Sequence, residues 1–352
     1  MQDSARLIAQ ACRGERPERT PIFDILVNDE IIAHFAGAPL DGTDDFNVSA
    51  RAIGRALDGT RHVSVPNEEG KTWSDSWGNE YVAYRWTVWQ RKHVRPDIQR
   101  WKQWIIDSCE RIEASERPTP EHCETAIPGQ LELLGKLEGT QFIFCTPSTA
   151  INHALFGGCG LQIFSYLWAD DRALVLRWLR TLEQANSDHI ALAAHAETAG
   201  LAMIYSDIAY KQRLMFSREM LREMGFFEDV ERLCAQCHER GLRVIFHSDG
   251  YIMDIIPDLI AAGVDGINPL ERAAGMDVYE LRRRHPETIL VGGMDVTHLM
   301  PNGTPEEVRA ETRRMIDETG SEGRLLIGSS TEMEPNIPLA NYLAFWDEVM
   351  KG

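Results

Sequence analysis

No stretch of the sequence reaches the ~18 consecutive apolar residues of a membrane-spanning helix, so no membrane is expected around it. Basic residues are scarce. There are 36 lysines and arginines against 54 aspartates and glutamates, for a formal net charge of −18. Nucleic acid and anionic bilayers are recognised through basic patches, so neither is an expected partner. The chain lacks a P-loop, a dinucleotide-binding glycine string and a G-x-S-x-G nucleophile motif. Its seven cysteines are Cys12, Cys109, Cys123, Cys145, Cys159, Cys234 and Cys237. They are odd in number, irregularly spaced and mostly set in apolar patterns, which suits free thiols in a reducing compartment. Cys234, Cys237 and His238 spell a haem-attachment string, but it lies within a helical pattern with Val230 and Leu233 and is read as a chance match. The first twenty residues show no basic stretch followed by an apolar core, and a cytoplasmic location is expected. No Pro, Gly or Ser-rich linker divides the 352 residues. One domain over 1–352 is expected, large enough for one extensive core.

What is present is most explicit over 241–271. The apolar run 242–246 is too short for a free-standing helix and reads as a buried parallel strand. It stops at His247, Ser248, Asp249 and Gly250. Residues 251–262 have helical spacing closed by Gly263, and 264–267 form a second strand that runs into Asn268, Pro269, Leu270 and Glu271. In such βαβα units ligands lie outside the carboxyl ends of the strands, so His247, Asp249, Asn268 and Glu271 are expected on one face.

Along the rest of the chain, helices are expected over 2–13, 46–57, 172–198, 226–240, 277–284, 305–318 and from Leu339, with 96–134 mostly helical. Strands are expected over 22–26, 62–65, 141–145, 201–205, 288–291 and 324–327, with Asp58, Gly59 and Thr60 as a turn before the second. Residues 67–91, with Trp73, Trp77, Trp86 and Trp89 among polar residues, read as inserted β-hairpins that either cover the mouth or pack on the body. About eight strand tips result. That number fits an α/β fold of the TIM (β/α)8 barrel type with a β-hairpin insertion in its N-terminal half.

With the tips aligned, the C-terminal half resembles the uroporphyrinogen decarboxylase superfamily, which holds the decarboxylase and the methyltransferases of corrinoid-dependent methyl transfer. The resemblance rests on Ser206-Asp207-Ile208-Ala209 with Phe216-Ser217, His247-Ser248-Asp249-Gly250, Asp265 to Glu271, Gly292-Gly293-Met294-Asp295, and Pro335 to Tyr342. It covers about 200–350 well and the N-terminal half loosely. Two departures stand out. Where the decarboxylases carry an arginine-rich segment after the first strand, this chain has Asp24 to Glu30, an acidic tip that would repel a polycarboxylate. Where the methyltransferases hold zinc with His-x-Cys and a later Cys, only the histidine remains, with Asp249 and Thr331 at the other two positions.

His247 and Asp249 suit a divalent metal, zinc foremost; otherwise Asp249 caps the following helix and His247 bonds a carbonyl. Glu334, with Glu332 as its alternative, would replace the lost cysteine as a ligand. Glu271 is a third ligand, a general base or a helix-start carboxylate. Asp207 falls where the resemblance places a substrate-side carboxylate, or is a solvated cap. Asp295 follows a glycine pair that allows close backbone approach. Asp207, Glu271 and Asp295 are thus the catalytic candidates, and Asp24, Asn28, Asn268 and Met294 the substrate-binding ones. The resemblance implies a methyltransferase acting on a small methylated substrate, with a corrinoid protein as acceptor, and a homodimer. A metal-free decarboxylase and a barrel that only binds a small ligand are the alternatives.

Overall fold

Five parallel strands, Leu201–Tyr205, Arg243–His247, Gly266–Asn268, Ile289–Met294 and Leu325–Ser329, lie side by side in chain order. The computed structural model describes residues 4–94, 97–195, 197–198 and 200–352. The start of the 2–13 helix, Pro96 and Ala196 lie outside the described residues. Successive side chains of a strand face opposite ways, and the strands divide accordingly. Leu201, Met203, Ile245, Ile289, Val291 and Leu326 form one buried cluster with Phe23 and Ile143. Ala202, Ile204, Val244, Phe246, Ile267, Leu290 and Ile327 join the larger cluster with the helices.

Parallel pairing continues beyond these five strands. Ser148 and Cys145 bridge Tyr205 and Ala202, Gly59–Thr60 pairs with Gln141–Phe142, and Phe23 bridges Gly59. Ile22 in turn bridges Ile327 of the last strand, so each segment pairs with the next and the last with the first. The chain is thus a mixed α/β protein with a parallel sheet and many helices.

Polar clasps hold the first segment. Asp24, 3% exposed, accepts from Ser329 N at 2.6 Å, Ser329 Oγ at 2.7 Å and Ile25 N at 2.8 Å. Gly328 is required beside it, because a Cβ there would stand 2.0 Å from the Phe23 carbonyl oxygen. Arg19 forks onto Asp58 at 2.6 and 2.8 Å, and Asp58 also accepts from Ile22 N and Ser4 Oγ.

The structure redraws several expected elements. The second parallel strand is Gly59–Thr60, not 62–65, so Arg61 and His62 form its tip. Residues 22–26 make single bridges because Asp24 turns into its clasp. After Asn28 comes an unforeseen helix, Asp29–Ala36, capped by the Asn28 side chain. The helix expected over 251–262 is only Ile256–Ala261, preceded by one 3-10 turn. Gly292 and Gly293 belong to a strand, not a tip, and a Cβ on Gly292 would lie 2.4 Å from the Pro269 carbonyl oxygen. That glycine admits neighbouring backbone, not a ligand.

The insertion is a three-stranded antiparallel meander, Thr72–Ser74, Glu80–Ala83 and Val88–Lys92. Trp77 stacks on Trp101 at 4.3 Å, and Arg85 and Trp86 both donate to Asp29. Two of its tryptophans therefore anchor it to the body, while Trp89 is 63% exposed. Among the described residues no helix is long and apolar enough to cross a membrane.

Candidate metal centre

The carboxyl ends of three neighbouring strands set the site. Parallel register places Tyr205 opposite His247 and His247 opposite Asn268, all turned to the same side of the sheet. His247 is 5% exposed, and its ring lies 4.8 Å from that of Tyr205. Just past the strand ends, Asp207 and Asp249 project from adjacent loops, and the Asp249 N–H donates to Asp207 Oδ1 at 3.1 Å. His247 Nε2 stands 3.8 Å from the same Asp207 oxygen. One imidazole nitrogen and one oxygen from each aspartate lie within 4.8 Å of one another.

The hydrogen bonds fix which histidine nitrogen is available. Asn268 Nδ2 donates to the Val291 carbonyl, so its Oδ1, 2.6 Å from His247 Nδ1, is an acceptor. Nδ1 must carry the proton, leaving the Nε2 lone pair open toward the aspartates. Burial first, then the Arg61 charge, pushes the histidine down to about 4, against the opposing pull of Asp207 and Asn268. The imidazole is neutral at pH 7, the form a metal needs. The Asp249 carboxyl still reaches solvent, but the protein packed around it, then the charges of Asp207 and Glu271, push it up to about 6. Crowded carboxylates of this kind are relieved by a cation. A neutral imidazole and two carboxylates make a donor set that a divalent ion of zinc type accepts.

The remaining candidates are placed as follows. Asn268 orients His247 and spends both ends of its amide on protein groups. Glu271 accepts from Gly250 N at 3.0 Å, beside Asp249. Glu334 is not among the converging ligands; of that loop it is Glu332 whose charge bears on Asp249 and Tyr205. Thr331, at the same strand end, has a buried hydroxyl with no partner among the described residues.

Four candidates are committed elsewhere. Asp24 is the buried clasp described above. Asn28 caps a helix and donates to the carbonyls of Glu334 and Ile337. Met294 falls on the helix-facing side of its strand, with its sulfur 4.0 Å from Thr312 Oγ1. Asp295 accepts from Thr297 N and His298 N and lines a separate depression with Arg272 and Glu311.

Arg61 and Tyr205 were absent from the sequence-based candidates. Arg61 Nη1 donates to Tyr205 Oη at 2.7 Å. Asp58-Gly59-Thr60 has the local pattern of a turn, which conceals Arg61 as a strand tip, and Tyr205 closes an apolar run that carries no site signal of its own. The position of Asn268 makes one prediction direct. Asn268→Leu should leave the fold intact yet weaken zinc affinity by ~10–100-fold in a calorimetric titration, since it frees the imidazole to rotate and change tautomer.

A parallel-sheet α/β protein that gathers a histidine and two aspartates where its strands end has the layout of an enzyme site. The sequence profile of the family described as uroporphyrinogen decarboxylase (URO-D) matches residues 162–352, more than half of the chain, and the protein belongs to this family. No curated protein matches the sequence. Membership implies enzymatic activity in general.

Proposed function

We propose that this protein is a metal-dependent methyltransferase, moving a methyl group from a small O- or N-methylated substrate to a corrinoid carried by a partner protein. The observation that carries the reading is the convergence of His247 Nε2 with Asp207 and Asp249 at one point of the sheet edge. No thiol belongs to that set. Oxygen and imidazole ligation suits a substrate oxygen or nitrogen rather than sulfur. The pairing cycle is read as a (β/α)8 barrel of one domain, whose site lies at the carboxyl ends of its strands.

When bound, the divalent metal, zinc foremost, supplies the Lewis acidity that polarises the heteroatom bearing the methyl group. His247 presents an unprotonated nitrogen because Asn268 holds its other proton. Asp207 and Asp249 offset the cation's charge, and Glu271 steadies the Asp249 loop through Gly250 N–H. The corrinoid protein and a second copy of this chain are the partners the reading implies.

The test uses zinc-loaded protein, cob(I)alamin and a panel of O- and N-methylated compounds, following methylcobalamin formation by absorbance. Zinc-dependent methylation is expected, with no turnover of uroporphyrinogen. The raised Asp249 carboxyl favours one second reading, a carboxy-lyase in which that acid protonates a developing carbanion. Carbon dioxide release from an acid substrate without metal would replace the first reading by the second.

A further inference from the structure

Arg61 stands at the tip of the Gly59–Thr60 strand, half-buried, beside the candidate metal centre. Among the described residues its one hydrogen-bond partner is a phenol: Nη1 donates to Tyr205 Oη at 2.7 Å, and its guanidinium carbon lies 5.3 Å from the Tyr205 ring centre. Many guanidinia of this acidic chain pair with carboxylates, as Arg19 does with Asp58, Arg85 with Asp29 and Arg232 with Glu183, while Arg51 and Arg282 bond backbone carbonyls. Among the described residues no carboxylate forms such a pair with Arg61. A half-buried guanidinium with most of its N–H donors unspent on protein groups is free to turn them to a bound acceptor. Its Tyr205 partner in turn lies against the site, with its ring 4.8 Å from that of His247. The guanidinium thus lies one aromatic ring away from the candidate metal ligands, near enough to attract an anionic group of a molecule held there.

Resting on the metal-site reading above, we propose that Arg61, held by Tyr205, receives a carboxylate of the substrate. The substrate is then a small methylated acid, whose heteroatom reaches the Asp207, His247 and Asp249 cluster while its carboxylate meets the guanidinium fork. A carboxylate fits better than a phosphate. Asp207 and Asp249 already meet there, with Glu271 next to them, and a dianion would suffer their repulsion more than a monoanion for the same single arginine. The assignment also accounts for the missing arginine-rich segment: one guanidinium is matched to one carboxylate, not to a polycarboxylate.

The test is calorimetric binding to the full-length, zinc-loaded protein, using methoxyacetate against 2-methoxyacetamide and 2-methoxybenzoate against 2-methoxybenzamide. Each pair keeps its skeleton and loses its charge. At least one acid should bind at least about ten-fold more tightly than its amide. Arg61→Gln should erase the preference while zinc affinity, titrated separately, stays the same or rises. Arg61→Lys should keep part of it, and Tyr205→Phe should lose part of it by releasing the guanidinium from its orientation. The inference is overturned if neither acid binds, if acids and amides bind alike, if Arg61→Gln leaves the preference intact, or if inorganic phosphate outcompetes the acids. Failure of the wild type to bind zinc would instead strike the metal-site reading, so the two failures are distinguishable.

Discussion

His247→Ala protein should fold and yet lose at least about 100-fold in zinc affinity, on the order of 2.8 kcal/mol. The histidine supplies the only nitrogen among the converging ligands, and its direction is fixed by a buried neighbour, through the 2.6 Å bond to Asn268. Two aspartates alone, one of them exposed, would hold a cation weakly and without preference for zinc. The cost to the fold should be modest. Truncation leaves the Asn268 carbonyl oxygen without its donor, a loss of about 1 kcal/mol. Zinc titration together with thermal unfolding separates the two effects. His247→Ala protein that binds zinc like the wild type would remove the histidine from the ligand set.

The largest expected effect on stability lies far from the site. Arg19→Met should destabilise the protein by about 3–5 kcal/mol, read from urea unfolding, because it strands the Asp58 carboxylate in the interior. The two side chains are 9% and 1% exposed and meet in a two-pronged contact. Asp58 also receives Ile22 N–H and the Ser4 hydroxyl, so it ties the amino-terminal helix and the first segment to the second strand. Replacing both partners, Arg19→Met with Asp58→Leu, should recover part of the loss, since it removes the unpaired charge. A single-variant loss under about 1 kcal/mol would mean the carboxylate finds water or another partner.

The strands legible in the sequence were those with their own apolar run. Residues 201–205 coincide with Leu201–Tyr205, residues 324–327 fall within two residues of Leu325–Ser329, and the run before His247 is the strand that carries it. Gly59–Thr60 has no such run. It is a strand only because Phe23 and Gln141 sit on either side, a long-range fact that local pattern does not carry. That misplacement hid Arg61. Two-residue periodicity is present in 289–294 and, once applied, sends Met294 toward the helices while Ile289 and Val291 face the other way. Asp24 and Asn28 drew attention as polar residues near a strand tip, but polar residues also appear where backbone must be clasped or a helix capped. Only their partners, Ser329 and Ile31, tell the two apart. The spacing of His247 and Asp249 points to one face, while the third ligand, Asp207, comes from a loop forty residues earlier in the chain.

X-ray absorption on the zinc-loaded wild-type protein tests the central claim most directly. The account predicts one zinc per chain with nitrogen and oxygen scatterers at about 2.0–2.2 Å, one imidazole, and no sulfur. A sulfur shell at about 2.3 Å, or no zinc retained after loading, would contradict it.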